Sequence, residues 1–251
     1  MEYGAQMNST VSPLAVIEAD RIGDNVVIRE YAIVRRGAVI GNNVLIHPFV
    51  IIEDGVRIGD NVEIFPSAYI GKPPRGVGAM TRPMNFAAKV EVGTGCVIGP
   101  NAVIYYDVEI GDHTLISDGA SIREQCKIGS RCIIGRYVTL NYATLIGDNV
   151  KVQDHTWLAG NMRIGDRVFI SGGVTTANDN LMGASGYDEE SIVGPTIENG
   201  VRIGAGAIIL PKVRVGENAL IAAGAVVSKD APAGQTAKGI PARFTTNKDA
   251  T

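Results

Sequence analysis

The chain has 251 residues, with 23 lysines and arginines against 26 aspartates and glutamates for a formal charge of −3, so it offers no basic surface for nucleic acid or an anionic membrane. It is long enough for a substantial core in one or two domains, and its 31 glycines with only 6% aromatic residues suggest many tight turns around small aliphatic side chains. No apolar run approaches the roughly 18 residues of a membrane span, and the opening MEYGAQMNSTVSPL lacks a basic-then-apolar leader, so a soluble, cytoplasmic protein is expected.

Residues 1–15 read as an N-terminal tail. From Val16 an aliphatic residue recurs every sixth position as far as Ile70, again from Val92 to Thr176, and again from Ile197 to Val227. In the long middle run every such position is Ile, Leu or Val until Thr176. A helix does not produce a six-residue period. The pattern is written plainly in "IGDNVV" at Ile22, "IGDNVE" at Ile58, "IGDHTL" at Ile110 and "IGDRVF" at Ile164. The fifth position of each hexad is small or medium, and Cys96, Cys126 and Cys132 all fall there. They are expected in the core of a protein from a reducing compartment, and their spacing makes no CxxC metal pattern. Two stretches break the period, 72–91 and 178–196, and residues 233–251 form a C-terminal segment beyond a repeat domain of 16–232.

The six-residue period resembles the hexapeptide repeat of bacterial acyltransferases, and the resemblance implies three hexads to a coil, so every third hexad is expected on one face. The first face starts at Ile22 and has Gly at the second position of nine of its ten hexads, with Asp, Asn or Ser usually next. Glycine is expected there for the unusual backbone angles of a corner. The corners after the other two faces are irregular. One carries His47, Phe65, Asp118, Arg136, Asp154 and His155, and the other Tyr105, Tyr106, Arg123, Glu124, Asn141, Tyr142 and Asn178. Residues that depart from cheap turn chemistry point to a ligand or a partner. Both interruptions leave from the third corner and bracket the five coils from Val92 to Thr176, on the order of 20 Å at the strand spacing. That length suits an extended molecule such as a nucleotide-sugar. The first loop carries Lys72, Arg75 and Arg82, which suit a diphosphate, and long loops in a compact domain are more often functional than idle.

The likeness to the hexapeptide repeat of bacterial acyltransferases covers nearly the whole chain. The resemblance implies an all-β fold, a left-handed parallel β-helix of about ten triangular coils with two loop excursions. It also implies acyl-coenzyme A as co-substrate, assembly as a homotrimer, and sites between adjacent prisms. The finish, "IGAGAIILPKVRVGENALIAAGAVVSKDAPAG" and then "GIPAR", is similar to the family's donor-binding end. By that likeness Ala205 and Ala223 leave room for the pantetheine arm, while Lys229 and Arg243 meet the coenzyme A phosphates.

The acceptor is read from what is missing. Family members that acylate the hydroxyl of UDP-N-acetylglucosamine place a His–Asp pair in a hexad that here reads "LAGNMR" from Leu158, with Gly160 and Asn161 in those places. A hydroxyl acceptor needs such a base. Instead "GGVTTANDN" resembles a stretch of nucleotide-linked amino-sugar N-acyltransferases in which the Asn approaches the sugar amine. The expectation is therefore N-acylation of a nucleotide amino sugar for cell-surface glycan synthesis. Asn178 and His155 are the catalytic candidates. Lys72, Arg75, Arg82, Tyr106, Glu124, Tyr142 and Asp154 are expected on the acceptor, and Gly160, Ala205, Ala223, Lys229 and Arg243 on the donor. The alternatives are an O-acetyltransferase of a sugar or serine, and an inactive β-helix scaffold. A zinc-dependent carbonic anhydrase of the same fold needs three converging histidines. His47, His113 and His155 stand far apart in the chain, with no two of them in neighbouring hexads, so no metal is expected.

Overall fold

The computed structural model describes residues 9–76, 82, 84–184 and 192–246. Parts of both loops, the first eight residues of the expected tail and the last five of the C-terminal segment lie outside the described residues. The chain is a left-handed parallel β-helix. Three sheets of 13, 11 and 10 strands run its length, and most strands are two residues long with one residue pointing out and the next buried. Successive coils pair in register three hexads apart, as Val97 with Leu115 and Ile98 with Ile116. An extended pair is all that fits between corners, and the aliphatic residue of each pair turns inward.

The three faces run as the periodicity predicts. The first holds Arg21–Ile22 to Arg214–Val215, the second Val27–Ile28 to Leu220–Ile221, and the third Ile33–Val34 to Val226–Val227. Both excursions leave the third face, at Tyr69–Lys72 and Thr175–Thr176, and return to the first at Val90–Val92 and Thr196–Ile197. At the start the register differs from the simple period. Ile17, not Val16, pairs with Val34 and packs on the core, because two adjacent aliphatics leave the choice to the coil above. Thr10–Val11 also pairs with Val27–Ile28, so the second sheet begins inside the stretch read as a tail. At the far end Gln235–Lys238 adds to Leu220–Ile221 and folds back antiparallel on Arg243–Thr246.

The first corner corrects one expectation. Its glycines do not supply the left-handed angles, which fall two residues later at Asn25, Asn43 and Asn61 with φ of 56°, 55° and 56°. Asparagine tolerates that region. The glycine is required by stacking, since a Cβ on Gly41 would stand 2.5 Å from Asp60 Oδ1 and 2.7 Å from the Gly59 carbonyl. The next residue completes the corner by accepting a backbone N–H from the coil before. Asn42 donates to Asp60 Oδ1 at 2.6 Å, Thr94 to Asp112 at 2.8 Å and Ser130 to Asp148 at 2.7 Å.

All three cysteines are buried and unpaired. Their thiols donate to carbonyls of the following coil, Cys126 to Asn141 at 3.0 Å, as the Thr114 hydroxyl does to Gly129 at 2.9 Å. Burial pushes the Cys126 thiol up to about 12, so it is an inert core residue. The outward faces differ in kind. The first is charged, with Arg57 3.7 Å from Glu91 and Glu109 between Lys89 and Lys127 at 3.3 and 3.0 Å. The second and third carry outward, half-buried aliphatics such as Leu115, Ile133, Ile51 and Val103. Among the described residues no helix is long and apolar enough to cross a membrane.

Because the core is one stack of inward aliphatics, a cavity anywhere in it is costly. Ile122, fully buried, should lose ~2–5 kcal/mol of stability on replacement by alanine, whereas Lys127→Ala on the charged face should change it by less than about 0.5 kcal/mol. Urea denaturation of both variants measures the contrast, and equal effects would contradict a continuous core.

Candidate functional site

The third corner forms a column from Glu53 to Asp179, and the first loop is laid down along it. Phe86 lies parallel to Tyr106 with centroids 6.0 Å apart, and Gln125 Nε2 donates to the Asn85 carbonyl at 3.0 Å. Arg82 pairs with Glu124 and places its guanidinium 3.8 Å from the centroid of the Tyr142 ring, one coil further on. Arg123 Nε reaches the other Glu124 oxygen at 2.9 Å. Tyr105 is flanked by Lys72 Nζ at 4.8 Å and by the Arg123 guanidinium at 5.0 Å. Lys72, Arg82 and Arg123 thus gather around Tyr105, Glu124 and Tyr142.

The second loop begins where this cluster ends. Asn178 Nδ2 donates to the Tyr142 hydroxyl at 3.4 Å and to the Gly160 carbonyl at 3.3 Å. With its amide nitrogen engaged by the protein, the side chain turns its oxygen the other way. Gly160 is glycine because Tyr142 lies across it, and a Cβ there would meet the ring at 2.7 to 2.9 Å. Thr176, the one polar residue in the middle run of hexad starts, is buried. It accepts the Ala159 N–H at 2.8 Å and contacts Met162 Sδ at 3.1 Å. Asp179 is used by its own turn, accepting from the Leu181 and Gly183 N–H groups at 2.7 Å each. A cleft of about 290 Å³ opens between Tyr142, Trp157, Gly160, Thr176 and Asn178.

Arg82, Tyr142, Glu124, Gly160 and Asn178 are thus brought together, but not all as expected. Glu124 is fully buried and its oxygens are taken by two arginines, so it faces protein and not a substrate. Tyr106 is also buried, donates its hydroxyl to Asp54 and is held protonated by that burial and bond; it braces the base of the loop. Asp154 is occupied at the second corner, where it pairs with Arg136 Nε at 3.0 Å and accepts the Arg136 N–H at 2.8 Å. Lys72 is half-buried on Tyr105, and Arg75 is exposed.

His155 is exposed on the second corner, its ring parallel to Tyr137 at 5.4 Å. The same slot in later coils is Gly173, Gly206 and Gly224, where an added Cβ would meet nothing within 4 Å. Ala205 and Ala223 lie one coil apart beside them, with the Gly224 N–H bonded to the Ala205 carbonyl at 2.9 Å. His155 therefore heads a smooth strip on the second corner, while Gly160, Asn178 and Lys229 belong to the third. Arg243 is exposed in the terminal hairpin. Within one chain the two corners are not joined. Trp157 was missed by sequence reasoning, and Arg123, though named on the third corner, was given no place in the site. The signal for Trp157 was its being the single tryptophan at an outward strand position, where it is 49% exposed.

Known proteins bear on this geometry in two ways. The family model "Bacterial transferase hexapeptide (six repeats)" matches residues 37–72 and 194–229, and that of the GMPPB C-terminal domain matches 80–182. The two hexapeptide matches fall on the hexads before the first loop and after the second. A stretch of this chain is 55% identical over 47 residues to 2,3,4,5-tetrahydropyridine-2,6-dicarboxylate N-acetyltransferase of Staphylococcus aureus, covering 19% of this chain and 20% of that one. The same enzyme from another strain matches at 45% over 74 residues, 28% and 31% of the two chains. The chain thus spans about a fifth to a third of the length of these relatives. Among solved structures, UDP-N-acetylglucosamine acyltransferase of Francisella novicida is 21% identical with a TM-score of 0.48, covering 94% of this chain and 69% of that one. AntD, an N-acyltransferase from Bacillus cereus solved with dTDP and coenzyme A, is 24% identical with a TM-score of 0.48 over 56% and 83%.

Burial works to raise the Glu124 carboxyl, but the hydrogen bonds from Arg123 and Arg82 outweigh it and hold its pKa below the ordinary 4.5. A depressed folded pKa stabilises the seated loop fully above the unfolded value, and the contribution is lost as pH falls through the folded one. Emission from Trp157 should therefore stay constant from about pH 8 to 5 and change only below about 4.5. A transition centred between pH 5 and 7 would mean that Glu124 is not held ionised by its arginines.

Proposed function

We propose that this protein transfers an acyl group from acyl-coenzyme A to the amine of a nucleotide-linked amino sugar, in the assembly of cell-surface glycans. The observation that carries the reading is the Asn178 amide on the wall of the cleft, its nitrogen bound to Tyr142 and Gly160. That leaves the oxygen to accept a hydrogen bond from an amine N–H and aim the lone pair at a thioester carbon. The local likeness to an N-acetyltransferase supports acyl transfer to nitrogen.

In the step itself the neutral amine forms a bond to the thioester carbon, giving a tetrahedral oxyanion that backbone N–H groups can stabilise. Collapse breaks the carbon–sulfur bond, and the proton lost from nitrogen passes to the departing thiolate. An amine needs positioning more than a base, which agrees with a cleft holding Asn178 and no histidine among its lining residues. The acceptor lies along the third corner, its amine at Asn178 and its phosphates toward Lys72, Arg75 and Arg123. Arg82 is already used by Glu124 and Tyr142. The donor arm follows the Gly173–Gly206–Gly224 strip beside Ala205 and Ala223, with Arg243 toward its phosphates and Lys229 reaching them from the third corner of a neighbouring subunit.

The donor strip and the acceptor cleft lie on different corners of one chain, so a neighbouring subunit completes the site. The apolar outward residues of the second and third faces favour packing of those two faces in a homotrimer, with the charged first face in water. Light scattering at micromolar concentration should give three times the 26.5 kDa chain mass, and a monomer would remove the shared site.

Asn178→Ala should lower kcat with nucleotide amino sugars while leaving the acidic limb of the pH profile in place, because that limb reports the substrate amine. Asn178→Asp should move the limb to higher pH by holding the ammonium form. His155→Ala should cost nearer tenfold than the roughly 10²–10⁴-fold that follows loss of a general base. Kinetics from pH 6 to 9 test all three, and wild-type behaviour of Asn178→Ala on every acceptor would place the site elsewhere.

A further inference from the structure

Glu124 carries a charge into a place where no substrate reaches it. Its side chain has no exposed surface, and Arg82 of the first loop and Arg123 beside it take both oxygens. A carboxylate so placed is a poor device for stability alone, since desolvation offsets much of the attraction. What it does achieve is to fix Arg82, whose side chain is itself only 9% exposed and whose guanidinium lies on the Tyr142 ring. A cation held over one face of an aromatic ring is an attractive contact that resists rotation of the ring. Tyr142 needs such a hold, because Gly160 beneath it offers no side chain to grip. The hydroxyl at the end of that ring is one of the two acceptors that orient the Asn178 amide.

We infer that Glu124 is a positioning residue: through Arg82 and Tyr142 it sets the orientation of Asn178, so that the acceptor end of the cleft is ordered only when the first loop is seated. This rests on the proposed role of Asn178 toward the amine, and adds how a residue three coils earlier in the chain governs it. The first loop then does more than hold phosphates. Its seating on the corner is coupled to the second loop through one tyrosine.

The test is a double-mutant cycle joined to a measurement that needs no turnover. Arg82→Met breaks the link yet leaves Glu124 paired with Arg123, so the fold should survive. With a panel of UDP- and dTDP-linked amino sugars and acetyl-coenzyme A, Arg82→Met should lower kcat about tenfold and leave the KM for acetyl-coenzyme A unchanged. The double variant with Asn178→Ala should be no slower than Asn178→Ala alone, since residues acting through one another do not add. Losses that multiply would overturn the inference. Acrylamide quenching of Trp157, which lines the same cleft, should rise about twofold in Arg82→Met and in Glu124→Gln, and not in Lys127→Ala. If quenching rises while the wild type acylates none of the panel, the coupling stands and the proposed function falls. If quenching is the same in all variants, the coupling is wrong whatever the activity.

Discussion

Every coil must close in three hexads so that its inward aliphatics meet those of the coils above and below. A solenoid has no other core, and each coil touches only its neighbours, so a misplaced residue is not compensated from elsewhere. The rest of the molecule is arranged around that closure. The corner glycine admits the next backbone, the following Asp or Asn accepts an N–H from the coil before, and cysteine and threonine at the fifth position bond to a carbonyl one coil on. These features consume the inward and first-corner positions almost completely. What remains free to vary is the outward residue of each strand and the other two corners, and the residues with chemistry are found there.

Distance along the axis is thereby tied to chain position, one strand spacing for each coil of three hexads, except where a loop is inserted. The two loops exploit that exception. The first leaves early and runs down the third corner, bringing Arg82 beside Glu124 and Tyr142, which belong to coils well beyond its point of departure. The second leaves where the first one's contacts end. The carboxylate between them is held ionised by two arginines, and the pair is worth more as a fixed joint than as a source of stability.

The faces, their order and the column of unusual corner residues were legible because an unbroken period leaves little room for another register. Where two aliphatics stood together, as at Val16 and Ile17, the period could not choose, and pairing with Val34 decided it. Corner residues could be named but not aimed. Tyr106 and Glu124 occupy the positions expected of ligand contacts, yet their partners Asp54 and Arg82 are remote in sequence, one of them on an inserted loop. No local pattern carries that information. Trp157 escaped notice, and Arg123 was named without a role, for a related reason, since a cation beside a carboxylate and an aromatic on a strand both look ordinary until the loop and the cleft are in place.

Asn178 and His155 illustrate how far one chain can go. They are little more than one coil apart in sequence but on corners separated by a whole face, each surrounded by features suited to a different half of a transfer. The third corner has cations, a tyrosine and an amide around a cleft. The second has a stacked histidine above a run of bare glycines. A rigid prism cannot bend one corner to the other, because that would open the aliphatic stack. On the proposed reading, therefore, the two halves meet only between chains. The apolar second and third faces then serve catalysis as well as assembly, since the same packing that buries them sets the donor of one subunit against the acceptor cleft of the next.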